Sequence, residues 1–95
     1  MGYRLYATIP NVPHKHNILE LGKQYDSNWR EFLDNWFGED NDQGIVLAAH
    51  VKQFYDELVK LNNENVENGS IYGLYNLELL KEMVDLGYDM YFDSW

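Results

Sequence analysis

The chain has 95 residues, with sixteen Asp and Glu against seven Lys and Arg, a formal charge of −9. That balance argues against a nucleic-acid-binding surface, and the absence of cysteine excludes disulfides and thiolate chemistry. A hydrophobic content of 45%, with eight Tyr, four Phe and three Trp, argues against intrinsic disorder and for one folded domain over residues 1–95.

The opening Met1-Gly2-Tyr3-Arg4-Leu5 lacks the apolar stretch of a signal peptide. Tyr6 stands where a myristoylation pattern after Gly2 needs Ser or Thr. No apolar run approaches the ~20 residues of a membrane span, so a soluble cytoplasmic protein without membrane partners is expected.

In chain order, the first element is a strand. Tyr3, Leu5, Ala7 and Ile9 alternate with Arg4, Tyr6 and Thr8, and Pro10 and Pro13 stop the pattern. Residues Asn11 to Asn17 read as a loop, and Ile18 to Leu21 as a second short strand ended by Gly22. A helix follows, capped by Asp26 or Ser27. It carries Trp29, Phe32, Leu33, Trp36 and Phe37 on one stripe and stops at Gly38. The acidic loop Glu39 to Gly44 leads to Ile45, Val46 and Leu47, which fit either a short strand or the first turn of the next helix. That helix shows Leu47, Val51, Phe54, Tyr55, Leu58 and Leu61 at helical steps. Residues Asn62 to Ser70 have a linker composition. A third helix fits Asn76 to Leu86, with Asn76 as its cap, Leu77, Leu80, Met83 and Val84 as its stripe, and Gly87 as its stop. Alternation returns at the end: Tyr88, Met90 and Phe92 face one way, Asp89, Tyr91, Asp93 and Trp95 the other.

A terminal apolar strand needs a mate, and the N-terminal strand is the obvious one, with Arg4 placed to meet Asp89 or Asp93. The expected fold is α+β: a small antiparallel sheet joining the N- and C-terminal strands, packed against about three helices.

Chemistry-bearing constellations are weak. Glu39, Asn41 and Gln43 before Gly44 fall at the alternate-oxygen spacing of a calcium loop. However, the loop opens with Glu, offers two neutral amides, and has His50 where a bidentate carboxylate belongs, so a solvated turn is the preferred reading. His14 and His16 flank Lys15, whose charge opposes a dication, and no cysteine completes a ligand set. Ser27, Ser70 and Ser94 sit in no nucleophile elbow, and Gly69 to Gly73 is too sparse and too acidic in context for a phosphate loop. No enzyme, cofactor or metal is expected. Lys and Arg are scattered singly, so direct nucleic-acid binding is not expected either.

The negative charge is blocked rather than even. Glu31, Asp34, Glu39, Asp40 and Asp42 lie between Arg30 and Lys52 without a basic residue. Glu64, Glu67 and Glu78 lie between Lys60 and Lys81, and Glu82, Asp85, Asp89 and Asp93 follow Lys81. Tyr72, Tyr75, Tyr91 and Trp95 fall off the apolar stripes or at element ends, where an aromatic beside acids makes either an interface anchor or a cap on the small core.

In overall composition the chain resembles the small, acidic, cysteine-free accessory proteins of bacteriophages and mobile elements. Its Asn and Tyr richness, the stretch Asn62-Asn63-Glu64-Asn65-Val66-Glu67-Asn68 and the acid blocks carry that likeness. The resemblance implies a non-enzymatic inhibitor in a bacterial host cell. Such a protein occupies a basic, nucleic-acid-binding groove of a host defence or nucleic-acid-processing protein, in the manner of anti-restriction or anti-CRISPR proteins that imitate DNA. Glu39, Asp40, Asp42, Asp89 and Asp93, with Tyr91 and Trp95 as anchors, are the expected partner-binding residues. The alternative is a module that self-associates through its C-terminal strand, with acidity serving only solubility, so monomer and homodimer both remain open. A calcium-responsive module is a third reading.

Overall fold

The computed structural model describes residues 3–10, 18–24, 27–39, 41, 43–67 and 73–94, with the backbone alone for Tyr3, Lys23, Gln24, Ser27 and Asn28. Their order is β1 (Tyr3–Thr8), β2 (Leu19–Gln24), α1 (Ser27–Phe37), β3 (Gln43–Val46), α2 (Ala48–Glu67), α3 (Leu77–Asp85) and β4 (Met90–Ser94). The strands form one antiparallel sheet in the order β2-β1-β4-β3, so the N- and C-terminal strands lie side by side. This is the expected α+β architecture.

Alternation in the strands sorts their side chains between two environments. Leu5, Ala7, Leu21, Val46, Met90 and Phe92 point inward and share one core with Trp29 and Leu33 of α1, Val51, Phe54 and Leu58 of α2, and Leu80 and Val84 of α3. Phe54 is the hub. Its ring centroid lies 4.3 Å from Phe92, 5.0 Å from Trp36 in an edge-on arrangement, and 5.3 and 5.8 Å from Phe32 and Phe37. These separations fall at or near the range in which aromatic pairs attract beyond simple burial. The helices therefore cover one side of the sheet, and the aromatic stripe of α1 fixes how they sit.

Glycine makes two close approaches possible. The β1–β2 register shifts between Leu5 and Tyr6, which face Gly22 and Glu20, leaving Leu21 as the extra residue of a bulge. Gly22 there has φ +128°, so β2 runs through the glycine expected to end it, on to Gln24. At Gly44, a Cβ would fall 2.3 Å from the Phe37 ring, so β3 lies flush against the aromatic end of α1 only because that position lacks a side chain.

The region expected as a linker is largely helix. α2 continues to Glu67 because its buried stripe does: Val51, Phe54, Leu58, Asn62 and Asn65 follow one another at three- and four-residue steps. Polar asparagines take the apolar places, which masks the pattern. The backbone N–H of Leu74 donates to Asn62 Oδ1 at 2.7 Å, fixing the returning chain against the helix. At the other end, Leu47 lies outside α2 and is 57% exposed, not part of the stripe. The uncertain Ile45 segment is a strand.

One helix end holds a further correction. Asn76 precedes α3 with φ 60° but makes no side-chain cap; its Nδ2 donates instead to the Glu20 carbonyl at 2.8 Å. Gly38 and Gly87 do follow α1 and α3, both at positive φ. The Asp26 cap lies outside the described residues, as does the Ser27 side chain. No described helix is long and apolar enough to cross a membrane.

Candidate functional site: the open face of the sheet

With the helices on one side, the outward residues of the strands make a second surface. Register places them in rows. Glu20, Tyr6, Asp93 and Gln43 face one another across β2, β1, β4 and β3, and Thr8, Tyr91 and Ile45 form the next row. At ~4.8 Å between strands, the first row spans about 14 Å, and rows lie about 7 Å apart. Tyr6, Thr8, Tyr91 and Asp93 are half-buried, and Ile45 is 56% exposed.

The two halves of this face differ. On the β2–β1 half the polar groups are tied together. The Tyr6 hydroxyl hydrogen-bonds the Arg4 guanidinium, which with nearby Glu20 favours its charged form. Arg4 and Glu20 approach to 4.0 Å, and the Tyr75 ring lies over Gly22 with its hydroxyl bonded to Glu20. Burial first, and then Glu20, pushes the Tyr75 hydroxyl above the ordinary tyrosine range.

On the β4–β3 half, the Tyr91 hydroxyl donates to Gln43 Oε1 at 2.8 Å, which holds the ring across the two strands. Burial, and secondly the neighbouring Asp93 carboxylate, pushes Tyr91 up as well. No described cation forms an ion pair with Asp93. A tyrosine, an isoleucine and a carboxylate without an ion-pair partner among the described residues thus stand together on the open surface.

The expected partner-binding residues divide. Tyr91 and Asp93 are brought together, as above. Glu39 is exposed in the turn after α1, and Gln43, at the end of the acidic loop, is in register with Asp93. Asp89 does not join them. Its Oδ1 accepts the backbone N–H of Ala48 at 2.7 Å, so the carboxylate caps the first turn of α2, where its negative charge also meets the positive end of the helix dipole. It stands four residues from Asp93, roughly 13 Å along the strand. Asp40, Asp42 and Trp95 lie outside the described residues, as do Tyr72, His14 and His16.

The expected pairing of Arg4 with Asp89 or Asp93 is also corrected. Leu5 lies opposite Ser94 and Tyr6 opposite Asp93, so Arg4 sits beyond both acids and turns to Glu20 on β2. Two calcium-loop candidates have other roles: Asn41 Nδ2 closes the end of α1 on the Phe37 carbonyl, and Gln43 belongs to β3, its Oε1 accepting from Tyr91. Association through the main-chain edges of β4 is closed, because β1 and β3 occupy both.

Tyr6, Thr8 and Ile45 are the site residues that sequence reasoning missed. The β1 alternation already put Tyr6 and Thr8 on one face; only the strand order showed that this face is shared with Tyr91 and is left uncovered by the described helices. No protein family, curated protein or solved structure matches this chain, so its function is read from its own residues.

Proposed function

We propose that the protein is a non-enzymatic binding protein that lays the open face of its sheet on a basic partner and so blocks that partner's nucleic-acid groove. The observation that carries this is the grouping of Tyr91, Ile45, Tyr6 and Thr8 around Asp93, on a chain of charge −9. Tyrosine buries a large area at low entropic cost, and the charge steers a cationic surface towards it. A host defence or nucleic-acid-processing protein presents such a surface, which fits the phage-type composition of the chain.

The test is capture of a basic DNA-binding partner from bacterial lysate, followed by competition against DNA for that partner at 0.1 and 0.5 M salt. Displacement of DNA by the wild-type chain, weakened at least tenfold by Tyr91→Ala with Asp93→Lys and by high salt, is the expected result. Salt-independent binding, or binding untouched by the double substitution, would remove this face from the function.

A further inference from the structure

The two edges of the sheet are treated differently. β2 carries Lys23 and the bulge at Leu21, and the chain returns along its outer side: the Tyr75 N–H donates to the Leu21 carbonyl at 2.8 Å, and Asn76 to the Glu20 carbonyl. β3, at the opposite edge, pairs among the described residues with β4 alone. Its sequence, Gln43-Gly44-Ile45-Val46, has no charge and no proline, and its register with β4 runs without a shift. Lysine, proline and bulges are the devices by which sheet edges are made unattractive to another strand. β3 uses none of them, and its own Ile45 is exposed, as is Leu47 just past its end.

We infer that this edge receives main chain: an extended, Lys- or Arg-bearing segment of the partner adds to β3 as a fifth strand. The inference rests on the proposed function and specifies the form in which the partner docks. Charge selects the occupant. β3 lies within the stretch from Glu31 to Val51, which holds five carboxylates and no Lys or Arg; Asp34 among them pairs with Arg30 at 3.5 Å, so the negative charge near the edge comes from the other four. Asp93 stands one strand away, in register with Gln43. A second copy of this chain would bring the same negative charge to the edge, whereas a cationic strand is attracted to it. Four residues offer about four outward N–H and C=O groups, too few to hold a strand by main chain alone. Side-chain charge therefore has to contribute, and alternate residues of the added strand would lie on the same face as Ile45 and Tyr91.

The experiment uses the whole chain and an N-acetylated, C-amidated heptapeptide alternating Lys and Val, with a control of the same charge carrying proline at its centre. Amide exchange and amide chemical shifts are followed residue by residue, with binding measured at 0.1 and 0.5 M salt. The expected result is protection of β3 amides by the alternating peptide only, with binding weakened at least tenfold by Ile45→Lys and by high salt. Ile45 is exposed, so this variant keeps the fold, and circular dichroism checks that it does. Equal binding of the proline peptide, or protection elsewhere than β3, would overturn strand addition in favour of diffuse electrostatic attraction. Protection of β3 that grows with protein concentration without peptide, alongside a dimer in sedimentation, would overturn it in favour of self-pairing. Tyr6→Ala, on a strand remote from this edge, separates the two proposals. If strand addition fails while the Tyr6 and Tyr91 variants still lose the partner, the face reading stands alone. If the peptide protects β3 while those variants bind the partner normally, only the face reading falls.

Discussion

Along β4, Met90, Phe92 and Ser94 are sealed beneath the helices, while the intervening Tyr91 and Asp93 remain half-exposed on the other side. Five consecutive residues thus serve two environments, and the difference separates what makes this protein fold from what it can offer a partner. The inner face is occupied by interlocked apolar side chains whose loss leaves a cavity. The outer face consists of side chains that bond to one another but remain partly exposed. Substitutions on the two faces should therefore act on different measurements.

The largest contrast comes from the hub of the core. Phe54→Ala removes a fully buried ring that meets four aromatic neighbours, and should destabilise the fold by about 3–5 kcal/mol. Tyr6→Ala or Tyr91→Ala on the open face should cost about 1 kcal/mol or less. Urea denaturation compares them directly. Similar losses for Phe54 and Tyr91 would mean that the outer face is structural as well, and would undercut its assignment to a partner.

Next in size is Asn62, a polar residue inside the core. Its carboxamide is the acceptor for the Leu74 N–H, so Asn62→Ala leaves a part-buried donor unpaired and should cost roughly 1–3 kcal/mol. Faster exchange of the Leu74 amide would localise the effect. A neutral substitution would show that the chain after α2 is held by other contacts.

A smaller effect tests the division among the acids. Asp89→Ala removes the carboxylate capping α2 and should cost about 0.5–2 kcal/mol, seen as a lower thermal midpoint, with partner affinity unchanged. Asp93→Ala should do the reverse. Both acids were expected at one binding surface because they share a side of an alternating strand. Asp89 instead lies just before β4 begins, where the turn brings it to Ala48, forty-one residues away in sequence. No local pattern carries a cap supplied from such a distance.

The same limit explains what else was legible. Alternation in β1 and, from Met90 on, in β4, the aromatic stripe of α1 and the Leu80–Val84 face of α3 are local signals of apolar side chains, and the structure follows them; Tyr88, expected on the face of Met90 and Phe92, instead lies before β4 and is exposed. The extension of α2 through Asn62 and Asn65 was hidden because the core there is built from amides, and Asn-rich composition reads as linker. Sequence alone leaves β3 open, because four residues contain too few repeats to separate a period of two from 3.6. The candidate face was half visible: Tyr91 and Asp93 were named, whereas Tyr6, Thr8 and Ile45 join them only through register between strands distant in sequence.

The smallest expected effect separates the two halves of the open face by their tyrosines. Tyr75 and Tyr91 are both pushed above the ordinary value of about 10. Burial is the leading cause in each, with Glu20 second at Tyr75 and Asp93 at Tyr91. The fold favours the protonated hydroxyl, so the folded chain holds more protons than the unfolded chain once pH exceeds the unfolded value. Stability from this source is therefore complete below about pH 10 and declines as pH rises through the folded values. Tyrosinate absorbance should accordingly develop at higher pH in the native chain than in urea. Asp93→Asn should bring the Tyr91 titration down while leaving Tyr75 in place, and Glu20→Gln should do the opposite. Equal movement of both tyrosines under either substitution would mean that the two halves are electrostatically coupled. Asp93 would then be shared with the Arg4–Glu20 cluster rather than held ready for a cationic partner.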